Sequence, residues 1–224
     1  MKPRQERSEQ TRQRLLLAAA EVFGALGYEG ATTRLVARKA GQRLSSITYY
    51  FGSKEGLFQA VMEQVATRVH QPLGPVLEQI NQLTDFAPGE ARELLYQVLD
   101  RFAGQIIASD ENDFFVLMWI REQFDPTVAF EIIYREVVAR VLHPIVRLVA
   151  SVLGLSAEDP QCRLRALTIV GQILIFRTAR RAALKTMGWN ELTPERVEQI
   201  RCIVRSNLEV GLQAQTEPVG RGPR

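Results

Sequence analysis

The chain has 224 residues, 46% of them hydrophobic and 24% charged, with a net charge of +3, enough apolar material for one large domain or a small one joined to a larger one. No apolar run reaches the roughly 20 residues that span a bilayer, and no apolar signal segment follows the polar start MKPRQERSEQ, so a cytoplasmic protein is expected. Cys162 and Cys202 stand far apart without paired spacing, which argues against a disulfide framework and a zinc site; both read as small core residues.

Charge is unevenly spread. Residues 1–54 hold ten Lys and Arg against four Glu, while the rest of the chain is mildly acidic. That polarity fits a nucleic-acid-binding head on a neutral body, although a merely solvated basic surface would look the same.

Helical spacing dominates, and alternating strand patterns bounded by hairpin turns are missing, so the fold class is all-α. A first helix is expected from Ser8 to Leu26, with Leu15, Leu16, Ala19, Val22, Phe23 and Leu26 on one stripe and Gly27 as a left-handed cap. Thr33 can cap a short second helix through Lys39, Gly41 breaks it, and a third short helix fits Leu44 to Tyr50. Ser53 then caps a fourth helix ending near His70, where Pro72, Gly74 and Pro75 follow. Further helices are expected from Ala91 to Ala108, from Asp113 to Phe124, and from Asp125 to Leu153 with a bend or break near Arg140 to His143 caused by Pro144. Two last helices span Pro160 to Met187 and Thr193 or Pro194 to Leu212, and the polar end QAQTEPVGRGPR reads as disordered. No internal repeat is apparent.

Three short helices, the second and third joined by a tight glycine turn, form the pattern of a helix-turn-helix unit. In the third, Ile47 and Phe51 are spaced to face inward, leaving Arg43, Ser45, Ser46, Thr48, Tyr49 and Tyr50 on or near the open side. Hydroxyls and a guanidinium there can reach base edges and phosphates, while Lys54 sits beside the free amides of a helix start that already attract anions. Thr33, opening the second helix, joins this DNA-facing set, and Lys2, Arg4, Arg7 and Arg12 form a basic arm that could follow the DNA backbone or simply be solvated.

These residues resemble the tetracycline-repressor (TetR) family of bacterial transcription regulators. The likeness rests on AAAEVFGALGYEGATTRLVARKAG followed by ITYYFGSKEGLF. The turn differs, reading Gln42-Arg43-Leu44 where the family more often has an apolar residue followed by Ser. Farther on, REQFDPTVAFEIIYREVVARVLHPI, GQILIFRTARRAALKTMGW and LTPERVEQI resemble the CecR-like branch of that family. The resemblance implies a homodimeric repressor controlling transport or efflux genes, released from its DNA by a small-molecule inducer.

For the inducer, Phe114, Leu117, Met118 and Phe124 share a broad face with Arg121 in NDFFVLMWIREQF, so a charge adjoins an apolar surface. Arg121 with Glu122 could line a ligand cavity or form an ordinary surface ion pair. Tyr134 and His143 could face the same space. For the dimer, Leu167, Val170, Gly171, Leu174 and Thr178, then Val197, Ile200, Val204 and Leu208, form stripes larger than one antiparallel pair hides in itself; intrachain core is the alternative. In the family, the matching helices build a four-helix dimer interface.

The expected organisation is a DNA-binding domain over residues 1–55, a ligand-binding and dimerisation domain over 56–213, and a tail over 214–224. Two isolated His, no phosphate loop and no metal-ligand cluster leave no support for an enzyme, a cofactor or a metal. The partners expected are double-stranded operator DNA, an inducer and a second copy, with no membrane. A DNA-architectural helical protein without ligand control is the rival reading.

Overall fold

A computed structural model describes residues 2–108 and 114–213, and among them it contains twelve α-helices, one π-helical turn and no strand. The all-α expectation holds. In chain order the first helices are α1 (Lys2–Gly30), α2 (Thr33–Lys39), α3 (Leu44–Phe51), α4 (Lys54–His70), α5 (Gly74–Gln82) and α6 (Pro88–Ala108). Then come α7 (Phe114–Phe124), α8 (Val128–Ile133), the π-helical turn Tyr134–Val138, α9 (Ala139–Leu153), α10 (Pro160–Thr178), α11 (Arg180–Met187) and α12 (Pro194–Gln213). The loop 109–113, with the helix start expected at Asp113, and the tail 214–224 lie outside the described residues.

Two compact units divide the chain, one of residues 1–68 with 110–139 and one of residues 69–109 with 140–224. The first runs past the expected boundary at residue 55, since Leu57, Phe58, Val61 and Met62 of α4 are fully buried in its core. Leu15, Leu16, Ala19, Val22 and Phe23 supply the inward stripe of α1, while Leu26 lies beyond the core and stays exposed. Phe58 meets Phe23 edge-on at 5.0 Å and Tyr28 at 5.1 Å, an arrangement that suits the ring quadrupoles. Burial raises the Tyr28 phenol above its ordinary pKa, and the nearby Glu55 and Glu29 carboxylates add to that.

Local chemistry sets the ends of these helices. Gly27 has φ 72°, a conformation costly for any residue with a Cβ; it kinks α1, and the helix resumes to Gly30. At the other end α1 continues back to Lys2, so the expected arm begins as helix. The cap of α2 is Thr32 rather than Thr33: its extended backbone lets Oγ1 accept the Leu35 N–H at 3.2 Å, and Thr33 is the first helical residue. Ser53 caps α4 as expected, accepting the Gly56 N–H at 3.0 Å.

Pro144 does not break its helix, and α9 runs through it. The irregularity lies earlier, at the π-helical turn, where the Ala139 N–H donates to the Tyr134 carbonyl one residue beyond α spacing.

In the second unit, α5 was not legible among its breakers. Pro75 stands in its first turn, where a missing N–H leaves nothing unpaired. Arginines close three helix ends: Arg147 donates to the Ile80 carbonyl of α5 and to that of Leu83 just past it, Arg180 to the Ile107 carbonyl of α6, and Arg165 to the Gly211 carbonyl of α12. The expected helix to Met187 stops at Thr178, because Ala179 (φ −113°, ψ 32°) leaves helical geometry before α11 begins.

The dimer stripe on α12 needs correction. Val197, Ile200, Val204 and Leu208 are buried within the chain itself, where α12 packs on α6 and α10, so they are core. Arg201 forks onto the Asp100 carboxylate of α6 and locks that packing. Cys162 is a core residue, whereas Cys202 is exposed against expectation. On α10, Leu167, Gly171 and Thr178 are open and Val170 and Leu174 half-buried. Leu208→Ala is therefore expected to lower stability by about 2 to 5 kcal/mol in urea unfolding, and Leu167→Ala to leave the stability of the isolated fold nearly unchanged.

Candidate nucleic-acid interface

The α2 to α3 unit turns on Gly41, at φ 64°, and Ile47 is the one residue of α3 buried to core level. Everything else on that short helix faces outward or sideways. Arg43, Ser45, Thr48 and Tyr49 are exposed, Tyr49 at 80%, while Ser46 and Tyr50 are half-buried, as is Thr33 at the start of α2. Arg43 precedes α3 without capping it through its side chain. Three polar side chains thus project from a helix held by one apolar anchor, with Arg43 beside its start, the geometry that major-groove reading requires.

Side chains of α1 fix the orientation of this surface. Tyr50 and Ser8 share a hydrogen bond at 3.0 Å between hydroxyls, Arg12 stacks over the Phe51 ring at 5.7 Å, and Lys39 of α2 pairs with Glu21 at 2.6 Å. Farther along, Gln64 of α4 donates to Gln13 at 2.9 Å. Lys54, expected beside DNA, lies over the Tyr28 ring at 4.5 Å and donates to the Glu29 carbonyl at 3.4 Å, clamping the kinked end of α1 to the start of α4.

Of the residues expected to face a ligand, Phe114, Met118, Arg121, Glu122 and Tyr134 belong to the first unit and His143, exposed on α9, to the second. Their environments differ sharply. Met118 is core. Glu122 is buried too, but both its oxygens accept from Thr127, from the backbone N–H at 2.7 Å and from the hydroxyl at 3.1 and 3.0 Å, so it fixes the start of α8. Thr127 in turn caps that helix through the Ala129 N–H.

Phe114 and Arg121 press on α1 instead. A Cβ added at Gly24 would overlap that of Phe114, and one added at Gly27 would lie 2.6 Å from the Arg121 guanidinium. These two glycines let α7 reach the backbone of α1. Sequence reading took Gly27 for a cap and passed over Gly24; GALG offered the signal, two glycines three apart on a helix, but not the partner.

A second arrangement was missed as well. Trp119 of α7 stacks on Phe130 of α8 at 6.0 Å, and Phe130 on Tyr134 at 6.3 Å, both within 15° of parallel. The i,i+4 spacing of Phe130 and Tyr134 was readable; the pairing across to Trp119 was not. Among the described residues no group of three or more His, Cys, Asp or Glu could hold a metal ion, and no helix is long and apolar enough to cross a membrane.

Comparison with known proteins agrees with this architecture. The family model for bacterial regulatory proteins of the tetR family matches residues 15–61, and the model for the C-terminal domain of the HTH-type transcriptional dual regulator CecR matches residues 91–215. The CecR regulator of Shigella flexneri is 31% identical over 216 residues, covering 94% of this chain and 95% of that one. Among solved structures, a TetR-like transcriptional regulator from Rhodococcus sp. RHA1 superposes with a TM-score of 0.59 at 21% identity, covering 92% of this chain and 97% of its own. The regulator FadR of Bacillus subtilis, solved with stearoyl-CoA, gives 0.56 at 17%, covering 92% and 99%. At such identities the two structures speak for the fold alone. The helix-turn-helix head and the helical body therefore define a DNA-binding transcription regulator, and the chain belongs to the TetR family. Within it, the match over the whole body places the chain in the CecR-like branch.

The glycine contact yields a paired test. Gly24→Ala is expected to lower stability by about 1 to 3 kcal/mol in urea unfolding, because Phe114 must move. Gly104→Ala, in α6 with open space around it, is expected to raise stability by about 0.4 to 1 kcal/mol.

Proposed function

We propose that this regulator is a homodimeric repressor that sits on a palindromic operator and is released by a small molecule, with transport or efflux genes as its targets. The observation that carries the reading is the outer face of α3, where Arg43, Ser45, Thr48 and Tyr49 stand free around the single anchor Ile47. Arg43 and Ser46 would read bases, and Lys54, held beside the start of α4, would take a phosphate with the N–H bonds its contacts to Tyr28 and Glu29 leave over.

One head reads half a site, so two are needed. Support for the dimer comes from the second unit, where Leu167, Gly171 and Ile175 of α10 and Ile203 of α12 are exposed. They adjoin an apolar groove of about 500 Å³ lined by Ile175, Phe176, Met187, Trp189, Ile200 and Ile203. A second copy laid there would bury this surface, and reading a two-fold symmetric operator requires the two α3 helices to stand about 34 to 36 Å apart, one turn of duplex. Release follows if the inducer favours another spacing, and a coupling of about 1 to 3 kcal/mol weakens operator binding roughly 5- to 150-fold. Within the first unit α7 is suited to carry that signal, since it rests on α1 at Gly24 and Gly27.

Footprinting on the DNA flanking the gene tests the reading, with protection expected over a two-fold symmetric site. There, Arg43→Ala should cost about 1 to 3 kcal/mol and relax preference at particular base pairs, whereas Lys54→Ala should weaken binding to all sequences alike. For the dimer, Ile175→Glu with Ile203→Glu should give a monomer by light scattering and abolish tight operator binding. A folded double variant that remains dimeric would move the interface elsewhere.

A further inference from the structure

Two outward apolar stripes on the second unit share one polar interruption. On α10, Leu164, Leu167, Gly171 and Ile175 are exposed and stand three or four residues apart. On α12, Ile203 and Val210 are exposed, and Asn207 stands exposed between them at the same spacing. Asn207 Nδ2 donates to the Oε1 of Gln172, the neighbour of Gly171, at 2.9 Å, and both amides line the groove that Ile175 and Ile203 border.

The packing of α12 on α6 and α10 does not call for this pair, since Ile200, Val204 and Leu208 beneath it supply the buried contact. A lone Asn in a stripe with three-and-four spacing is instead the residue that fixes register and partner number where helices pair, at a cost in stability. The bonding capacity left over tells which partner suits it. One bond uses one donor group and one acceptor, so Gln172 keeps its amino group and Asn207 its carbonyl oxygen. Exchanging O and N on both amides again leaves a donor on one residue and an acceptor on the other. A donor beside an acceptor complements its own image under a two-fold rotation, because such an interface brings residue i to j and j to i.

We infer that Gln172 and Asn207 close a ring of four amides with the same two residues of a second copy, each Gln172 amino group donating to the Asn207 carbonyl across the axis. The inference rests on the dimer reading of the α10 and α12 surface and names what in that surface selects a second copy of this chain over a related one. A wholly apolar face laid there buries the amino group and the carbonyl unpaired, whereas the copy satisfies both.

Charged chains test the ring. Gln172→Lys with Asn207→Lys makes one chain and Gln172→Glu with Asn207→Asp another, and light scattering over a dilution series reads each alone and the two in equal amounts. Each alone is expected to be mainly monomeric where the parent is dimeric, and the mixture to recover the dimer, since every cation then faces an anion. A neutral route covers a charged chain that fails to fold: Asn207→Leu strands the Gln172 amide and should weaken the dimer about 5- to 150-fold, and adding Gln172→Leu should restore it. Charged chains that dimerise like the parent, a mixture no more dimeric than its components, or an Asn207→Leu chain as dimeric as the parent would each overturn the inference. The double variant Ile175→Glu with Ile203→Glu keeps the two readings apart. If it dissociates while the charged amide chains stay dimeric, the ring alone is defeated; if it stays dimeric, or the parent is itself monomeric, the proposed interface fails and the ring with it.

Discussion

Close approach of α7 to α1 at Gly24 and Gly27 is the constraint on which the first unit depends. Two helices with ordinary side chains keep their axes about 8 to 10 Å apart, and removing the Cβ atoms at the contact lets one backbone meet the side chains of the other. Phe114 and Arg121 fill those two places. Through them a segment more than eighty residues away in sequence becomes part of the same compact body as α3. Any displacement of α7 must then be absorbed by α1, because neither glycine offers side-chain slack.

From α1 the constraint passes outward through polar contacts rather than through more core. Ser8 holds Tyr50, Arg12 covers Phe51, Glu21 holds Lys39, and the Tyr28 ring with the Glu29 carbonyl holds Lys54. Each is partly exposed and worth little alone, on the order of 1 kcal/mol or less. Together they set the angle at which α3 is presented. The long first helix is thus the common frame for α2, α3, α4 and α7.

How much of this was legible varied with the distance of the cause. The ends of α3 and α4, the burial of Ile47 and the outward set on α3 followed from neighbours within a few residues, as caps, glycine turns and apolar spacing do. Thr32 and Thr33 are adjacent and equally able to cap; only the backbone angles separate them. The stripes on α10 and α12 look alike in sequence, yet Val204 and Leu208 meet α6 while Leu167 and Ile203 stay open. Periodicity says that a face is apolar, not which neighbour takes it. Glu122 shows the same limit, since a carboxylate beside an apolar stripe reads as a ligand contact until its hydrogen bonds to Thr127 are seen.

The same polar contacts change what the basic head can do in water. A protein that docks on a duplex gains largely from the small cations that its own charges set free from the phosphates, and the composition of residues 1–54 suggests ten such charges. The fold has already paired some of them with carboxylates, Lys39 with Glu21 and Arg12 with Glu9. A head with fewer unpaired charges clings less to arbitrary DNA, and in the proposed reading a larger part of its affinity then comes from the polar side chains of α3, which act only where the sequence beneath them fits.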